Sequence, residues 1–236
     1  MNAIAPKMMA APASDPAGRL IDSPSSSRRL FVAAAICAVL ACAALAIDLP
    51  VAQYVKVHAL RGELARLVRL SEVFGWGGTV TIIILMVAVL DGRGWRQFLA
   101  LAIPSLGAGL IADGVKLLVG RWRPSAAGTF SSVSETFVGW LPLLKEAGAT
   151  GSKYSMQSFP SAHAATAVGL AAALSLLYPR GRWLFAVFAL LAMLQRIEGQ
   201  AHYCSDVLAG AAIGLLMAAT VQCSRFKTQD CRTDQG

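Results

Sequence analysis

Charged residues are scarce in this chain. They make up 14% of its 236 residues, whereas hydrophobic residues make up 56%. Ordinary soluble domains carry about 25% charged residues, so this balance excludes such a domain and indicates that lipid replaces water around much of the surface. The formal charge of +8 is dispersed between apolar segments. It does not form the dense Lys/Arg patches of nucleic-acid-binding proteins, and no nucleic-acid partner is expected.

Metal-binding and disulfide motifs are also lacking. The chain has three histidines and five cysteines, and no pair of cysteines forms C-x-x-C. Neither a zinc site nor a disulfide framework is therefore predicted, and we expect no cofactor. The five cysteines are Cys37, Cys42, Cys204, Cys223 and Cys231.

Six apolar stretches occupy most of the sequence. A membrane-spanning helix needs roughly 17–25 residues, and backbone polar groups within lipid must bond to one another. The sequence therefore predicts an all-α integral membrane bundle of six transmembrane helices, the fifth of which needs its polar flanks to reach spanning length. The stretches are 30–49, 73–90, 97–119, 161–178, 183–195 and 205–222.

These stretches define one membrane domain, residues 30–224. Residues 1–29 are rich in Ala, Pro and Ser and are predicted to form a disordered tail, and residues 225–236 a short C-terminal tail. The small residues of Ala44-Leu45-Ala46 leave open a cleaved signal peptide. The long segment before them favours a retained first helix.

Positive residues in the short connections indicate the orientation. One side holds both termini, the second-to-third connection and the fourth-to-fifth connection, and we assign it to the cytoplasm. Its positive residues are Arg28, Arg29, Arg93, Arg96, Arg180, Arg182, Arg225 and Lys227. The first loop on the opposite side is also positively charged, through Lys56, Arg61, Arg66 and Arg69.

The connection 125–159 is the longest between stretches and contains an apolar patch. We expect either a loop helix packed on the bundle or an interfacial helix that borders a lipid entrance, and both remain open. The patch comprises Phe137, Val138, Trp140, Leu141, Leu143 and Leu144, followed by Lys145.

A first polar cluster ends the third apolar stretch. Lys116 and Arg123 are seven residues apart, so they share a face if the helix continues to Pro124. The planar guanidinium of an arginine and the compact ammonium of a lysine both suit a phosphate. The extension of long basic side chains to the membrane interface accounts for these two residues equally well. Arg121 points elsewhere if Arg123 faces a site.

A second cluster, Pro160-Ser161-Ala162-His163, precedes an Ala-rich stretch. A helix N-terminus offers unpaired N–H donors that suit phosphate oxygens. Ser161 can add a hydroxyl or merely cap the helix. His163 can donate a proton to a departing oxygen, or can be purely structural.

A third cluster runs from Arg196 to Asp206. His202 and Asp206 are four residues apart and would meet on one helical face, where the carboxylate holds one imidazole nitrogen and frees the other to attack. A structural His–Asp pair is the alternative, and Glu198 is interpreted as a solvated loop charge. All three clusters lie at the ends of predicted spans on the same side of the membrane. Ionisable groups at membrane depth are costly unless they serve a site or are paired.

Together the clusters resemble the type 2 phosphatidic acid phosphatase family, within the wider vanadium haloperoxidase superfamily. The family signature is K-x-x-x-x-x-x-R-P, then P-S-G-H, then S-R-x-x-x-x-x-H-x-x-x-D. The chain matches its order and internal spacing over roughly residues 70–222. It departs at Ala162, which replaces glycine, and at Gln195, which replaces serine.

The resemblance implies a metal-independent lipid phosphatase. His202 would attack phosphorus and form a phosphohistidine, Asp206 would orient it, and His163 would protonate the leaving oxygen. The phosphoryl oxygens would be held by Lys116, Arg123, Arg196, Ser161 and the backbone at Ala162. The expected location is a bacterial inner membrane, with the site facing the periplasm or exterior.

The resemblance leaves the substrate open among phosphatidic acid, phosphatidylglycerol phosphate, isoprenyl diphosphates and lipid A. Phosphotransfer to an acceptor alcohol is a related possibility. A catalytically silent lipid-binding or transport protein of the same fold is the alternative from another class. The bilayer and its phosphorylated lipids are the expected partners, and the sequence gives no oligomeric state.

Overall fold

The computed structural model describes residues 24–91, 94–126, 130–141 and 153–233, without the side chains of residues 24, 96, 153 and 225–233. Within these ranges the chain is mostly helical. The helices are α1 (Pro24–Ala44), α2 (Asp48–Val57), α3 (Gly62–Leu70), α4 (Gly77–Leu90), α5 (Gly94–Ala102), α6 (Ala108–Leu118), α7 (Ala162–Leu177), α8 (Arg182–Glu198) and α9 (Cys204–Thr233). Two short strands, β1 (Val119–Arg121) and β2 (Phe137–Trp140), pair antiparallel.

Short 3₁₀ and π segments connect these elements. A π-helical turn, Ile103–Gly107, joins α5 to α6. The 3₁₀ turns are Ser71–Phe74, Val133–Thr136, Lys153–Met156 and Pro179–Gly181.

Among the described residues, three helical segments are long and apolar enough to cross a membrane: Ser25–Ala44, Gln97–Leu118 and Cys204–Ser224. A fourth is counted if Gly62–Phe74 and Gly77–Leu90, which are bent by 67° to each other, form one broken span. Ala162–Leu177 is apolar but shorter. The all-α membrane class is thus confirmed, whereas six crossings stay a prediction.

The helices at both ends extend into the predicted tails, because polar residues can continue a helix beyond its apolar stretch. Helix α1 already starts at Pro24, and α9 extends to Thr233. Residues 1–23 and 234–236 lie outside the described residues. So do Arg93 and the side chains of Arg96, Arg225 and Lys227, on which part of the predicted orientation depends.

The helix predicted in the long connection is wrong where the structure describes it. Phe137–Trp140 is a strand, because its backbone pairs with Val119–Arg121. The same pairing ends α6 at Leu118, so the third helix does not continue to Arg123 as the shared-face prediction required. Leu143, Leu144 and Lys145 lie outside the described residues.

Helix α7 lies in the middle of the bundle and contacts α6, α8 and α9. Small side chains allow this close packing: Ala164, Ala165 and Ala167 are fully buried. At Gly210 of α9 a Cβ would collide with the carbonyl oxygen of Ser161. Only glycine therefore permits the approach that brings the starts of α7 and α9 together. Helix α1 packs along α9.

Candidate active site

The second and third polar clusters meet where α7 and α9 begin. The backbone N–H of Ser161 donates to the carbonyl oxygen of Asp206 at 3.0 Å. Ser161 is the N-cap of α7, and its hydroxyl accepts from the N–H of Ala164 at 3.4 Å. Ala162 is the first residue of α7, so its N–H and that of His163 belong to the unpaired donors of a helix start.

Backbone pairing carries the first cluster to the same place. The N–H of Arg123 donates to the carbonyl of Ser155 at 2.8 Å, and the N–H of Ser158 to the carbonyl of Arg121 at 3.0 Å. Because Ser158 lies three residues before Ser161, this pairing fixes Arg123 beside the start of α7.

The turn after α8 places His202 beside Arg196. The backbone N–H of His202 donates to the carbonyl of Arg196 at 3.2 Å. The side-chain oxygen of Gln195, which stands where the family has serine, accepts a hydrogen bond from Nε of Arg196. Gln195 thus helps to orient the guanidinium.

The imidazole of His202 is buried, and its surroundings favour the neutral form. Its Nδ1 lies 2.6 Å from the carbonyl oxygen of Ser158; since a carbonyl only accepts, Nδ1 carries the proton and Nε2 keeps its lone pair. Burial lowers the pKa of His202 well below 6.5, and the positive charges of Arg123, Lys116 and Arg196 lower this pKa further. Cations from the first and third clusters therefore act on one imidazole, which itself belongs to the third.

Asp206 holds His202 through an intermediary. Oδ2 of Asp206 is 3.9 Å from Nδ1 of His202, too long for the predicted hydrogen bond. The same oxygen accepts from Oγ of Ser158 at 2.6 Å and from the N–H of Tyr203 at 2.8 Å. The reason is that α9 begins only at Cys204, so His202 does not share a helical face with Asp206. Asp206 fixes Ser158, and the carbonyl of Ser158 fixes the ring.

Arg121 forms a buried network that the sequence reasoning missed. Its guanidinium donates to Asp206, to Oγ of Ser205 at 2.7 Å and to Asp48 at 2.7 Å. The rings of Phe137 and Tyr203 lie 4.6 and 4.2 Å from it. Arg121, Asp48 and Asp206 are each at most 1% exposed. An aspartate inside the first apolar stretch, 30–49, was the available signal.

Acidic side chains neutralise two of the site cations, and the sequence reasoning missed these as well. Nζ of Lys116 lies 2.8 Å from Asp113, and Arg196 lies 2.7 Å from Glu72. Glu72 Oε1 is also 3.7 Å from Nε2 of His163. Both carboxylates are partly exposed.

Arg123 is held by the segment that precedes α7. Its guanidinium donates to the backbone oxygen and the hydroxyl of Tyr154, both at 3.0 Å, and to the carbonyl of Gln157 at 3.3 Å. It also lies 3.8 Å from the centre of the Tyr154 ring. These bonds use three of its five N–H groups.

Glu198 is not the solvated charge that we expected. Its Oε1 accepts a 2.6 Å hydrogen bond from the backbone N–H of Leu60. It therefore joins the end of α8 to the segment before α3, beside the site rather than within it.

Comparisons with known proteins identify one family. The family model described as the PAP2 superfamily matches residues 93–230, which include every predicted site residue. Proteins named "Lipid A 1-phosphatase" from Rhizobium etli and Rhizobium johnstonii are 36% and 34% identical over 107 residues, 45% of this chain. Those residues span 41% and 39% of the relatives, so the match covers about two fifths of each. No solved structure matches.

Proposed function

Because this chain belongs to the PAP2 superfamily, the type 2 phosphatidic acid phosphatases, we propose that it is an integral membrane phosphatase acting on a lipid. The observation that carries this proposal is the buried imidazole of His202. Its Nδ1 lies 2.6 Å from the Ser158 carbonyl, and three cations from separate elements lower its pKa. A neutral Nε2 can attack phosphorus, and fixed cations stabilise the charge of the transferring phosphoryl group.

The proposed reaction has two steps. In the first, Nε2 of His202 forms a bond to phosphorus while the bond to the lipid oxygen breaks, and His163 gives a proton to that oxygen. In the second, His163 takes a proton from water, whose oxygen displaces His202 and releases inorganic phosphate. Lys116, Arg123 and Arg196 hold the phosphoryl oxygens with Ser161 and the N–H groups at Ala162, and these donors do the work that a metal ion does elsewhere.

Ser158→Ala tests the link between Asp206 and His202. The variant keeps the carbonyl that holds Nδ1 but loses the hydroxyl that anchors it to Asp206. A hydrogen bond to a charged group contributes about 1.5–3 kcal/mol, so we expect kcat to fall by roughly 10- to 100-fold with little change in KM. Ser105→Ala is the matched control, since the hydroxyl of this buried serine bonds to the carbonyl of Leu101, four residues earlier in the chain. An unchanged kcat in Ser158→Ala would contradict the link.

The pH dependence follows from the lowered pKa of His202. The neutral form attacks and exists above the pKa, so activity should persist as the pH falls through 6.5 and decline only below it. The measurement is kcat/KM against pH with two substrates that differ in phosphate pKa. The limb that does not move between them belongs to the enzyme. An acid-side enzyme limb, with activity falling as the pH drops, centred at or above pH 6.5 would contradict the assignment.

An apolar groove beside the site supports a lipid substrate over a soluble phosphate ester. A cavity of about 590 Å³ lies between α3, α4, α7 and α8. Its lining includes Ser71 and Val73, the neighbours of Glu72, whose carboxylate bonds to Arg196. An acyl or prenyl chain in this groove would leave its phosphate beside Arg196 and His163.

The proposed protein crosses a bacterial inner membrane six times, with both termini in the cytoplasm and the site on the opposite face. The six helical crossings would be α1, the α3–α4 pair, α5–α6, α7, α8 and α9. The basic residues Arg28, Arg29, Arg180 and Arg182 support this orientation. The names of the two relatives make lipid A the first substrate to test.

The deciding experiment is phosphate release by the purified full chain in detergent. The panel comprises lipid A, phosphatidic acid, phosphatidylglycerol phosphate and an isoprenyl diphosphate, each with a short-chain analogue. We expect release from at least one lipid, with a higher kcat/KM than for its short-chain analogue. Lipid binding without release from any of them would favour the silent protein. Transfer to an added alcohol would identify a phosphotransferase.

A further inference from the structure

A second groove lies at the end of the bundle away from the candidate site. It encloses about 620 Å³ between α1 and α8, over a floor formed by α7 and α9. It reaches Ser175 near the end of α7 and Arg182 at the start of α8, whereas Ser161 and Arg196 of the site lie at the opposite ends of these helices. Its lining is mostly aliphatic and includes Leu30, Cys37, Ala172, Ala186, Leu190 and Leu215.

Two arginines border this groove from facing walls. Arg29 comes from α1 and Arg182 from α8, and both are exposed. The guanidinium of Arg182 lies 5.3 Å from the centre of the Trp183 ring, which is 72% exposed. Exposed tryptophans in membrane proteins concentrate at the level of the lipid headgroups. With Trp183 at that level, Arg182 and Arg29 of the same groove would lie at headgroup depth, and the aliphatic lining would extend into the hydrocarbon.

We propose that this groove binds an anionic phospholipid, with its headgroup phosphate between Arg29 and Arg182 and an acyl chain along α7 and α9. Guanidinium groups form bidentate hydrogen bonds with phosphate oxygens, and basic pockets between transmembrane helices bind anionic headgroups. The volume falls in the range of ligand sites, roughly 300–1,000 Å³. The bound lipid is a structural ligand in the other leaflet and is not the substrate.

Charge complementarity selects this occupant over a zwitterionic lipid. The ammonium of a phosphatidylcholine headgroup offsets its phosphate, so two arginines gain less from it than from phosphatidylglycerol. The apolar lining of the groove alone does not distinguish the two lipids when their chains are identical. A preference for the anionic lipid therefore isolates the contribution of Arg29 and Arg182.

Native mass spectrometry of the full chain in a neutral detergent tests the proposal, with phosphatidylglycerol and phosphatidylcholine of identical chains. We expect tighter binding of phosphatidylglycerol, and a loss of about fivefold in its affinity for each of Arg29→Gln and Arg182→Gln. Arg28→Gln and Arg180→Gln are matched controls, because they remove the same charge from neighbouring positions that do not line the groove. These controls should bind as the wild type does.

A further variant tests the apolar part of the groove. Ala186→Trp places a large ring in the groove and should weaken both lipids, with circular dichroism as the check of folding. Equal wild-type affinity for the two lipids would overturn the proposal without any variant. So would a loss in Arg28→Gln or Arg180→Gln as large as in Arg29→Gln or Arg182→Gln, since it would identify a general surface charge effect.

Discussion

His202→Ala is expected to abolish phosphate release, by roughly 10⁴-fold or more, while the protein remains folded. The imidazole supplies the proposed nucleophile, and alanine leaves no atom that can form a bond to phosphorus. The side chain contributes one hydrogen bond, to the carbonyl of Ser158, so the fold loses little beyond the packing of a ring. The measurement is the initial rate of phosphate release, with a thermal unfolding curve for the same preparation.

His58→Ala is the matched control for this loss. His58 is exposed near the end of α2, stacks on Tyr54 at 4.3 Å and bonds to the Tyr54 carbonyl at 3.1 Å. It lies outside the site, and its loss should leave kcat unchanged. If His202→Ala keeps a tenth or more of the wild-type rate, His202 is not the nucleophile.

A covalent trap separates the roles of the two site histidines. With a nitrophenyl phosphate the leaving group needs little protonation, so His163→Ala should still form the phosphohistidine and then hydrolyse it slowly. Acid-labile phosphate on the protein would accumulate in His163→Ala and be absent in His202→Ala. Equal labelling of both variants would contradict this division of roles.

The sequence predicted the parts of this protein whose signal is local. Long apolar runs indicated the membrane helices, and fixed spacings within three clusters indicated the candidate site residues. The structure brings Lys116, Arg123 and Arg196 to His202, although these residues lie on separate elements. Their roles in catalysis stay predictions.

Features that depend on distant partners could not be predicted in the same way. Phe137–Trp140 is apolar enough for a helix, and only its pairing with Val119–Arg121 makes it a strand. Arg121 and Asp48 are 73 residues apart, and Arg196 and Glu72 are 124 apart. No periodicity connects residues at such separations. The route from Asp206 through Ser158 depends on where α9 begins, and helix boundaries are the least certain product of sequence reasoning.

Arg121→Gln is expected to have the largest effect on stability. Arg121 bonds to two carboxylates, Asp48 and Asp206, and all three groups are buried. Removing one partner of a buried ion pair costs about 3–5 kcal/mol, which is a large part of the 5–15 kcal/mol that separates folded from unfolded proteins. The variant should unfold at a much lower denaturant concentration. Arg66→Gln is the control, since its pair with Glu63 is exposed and should contribute little.

Two further variants distinguish a positioning role of Arg121 from a purely structural one. Asp48→Asn combined with Arg121→Gln removes one of the two buried carboxylate charges that Arg121 neutralises. The double variant should therefore recover part of the lost stability. It does not restore the partner of Asp206, so kcat should remain low. Arg121→Lys keeps the charge but not the planar fork that reaches both carboxylates, so it should lower kcat more than it changes KM. If kcat recovers together with stability in the double variant, Arg121 supports the fold alone. If kcat stays low in a stable protein, Arg121 positions Asp206, and through Ser158 it positions the imidazole that attacks.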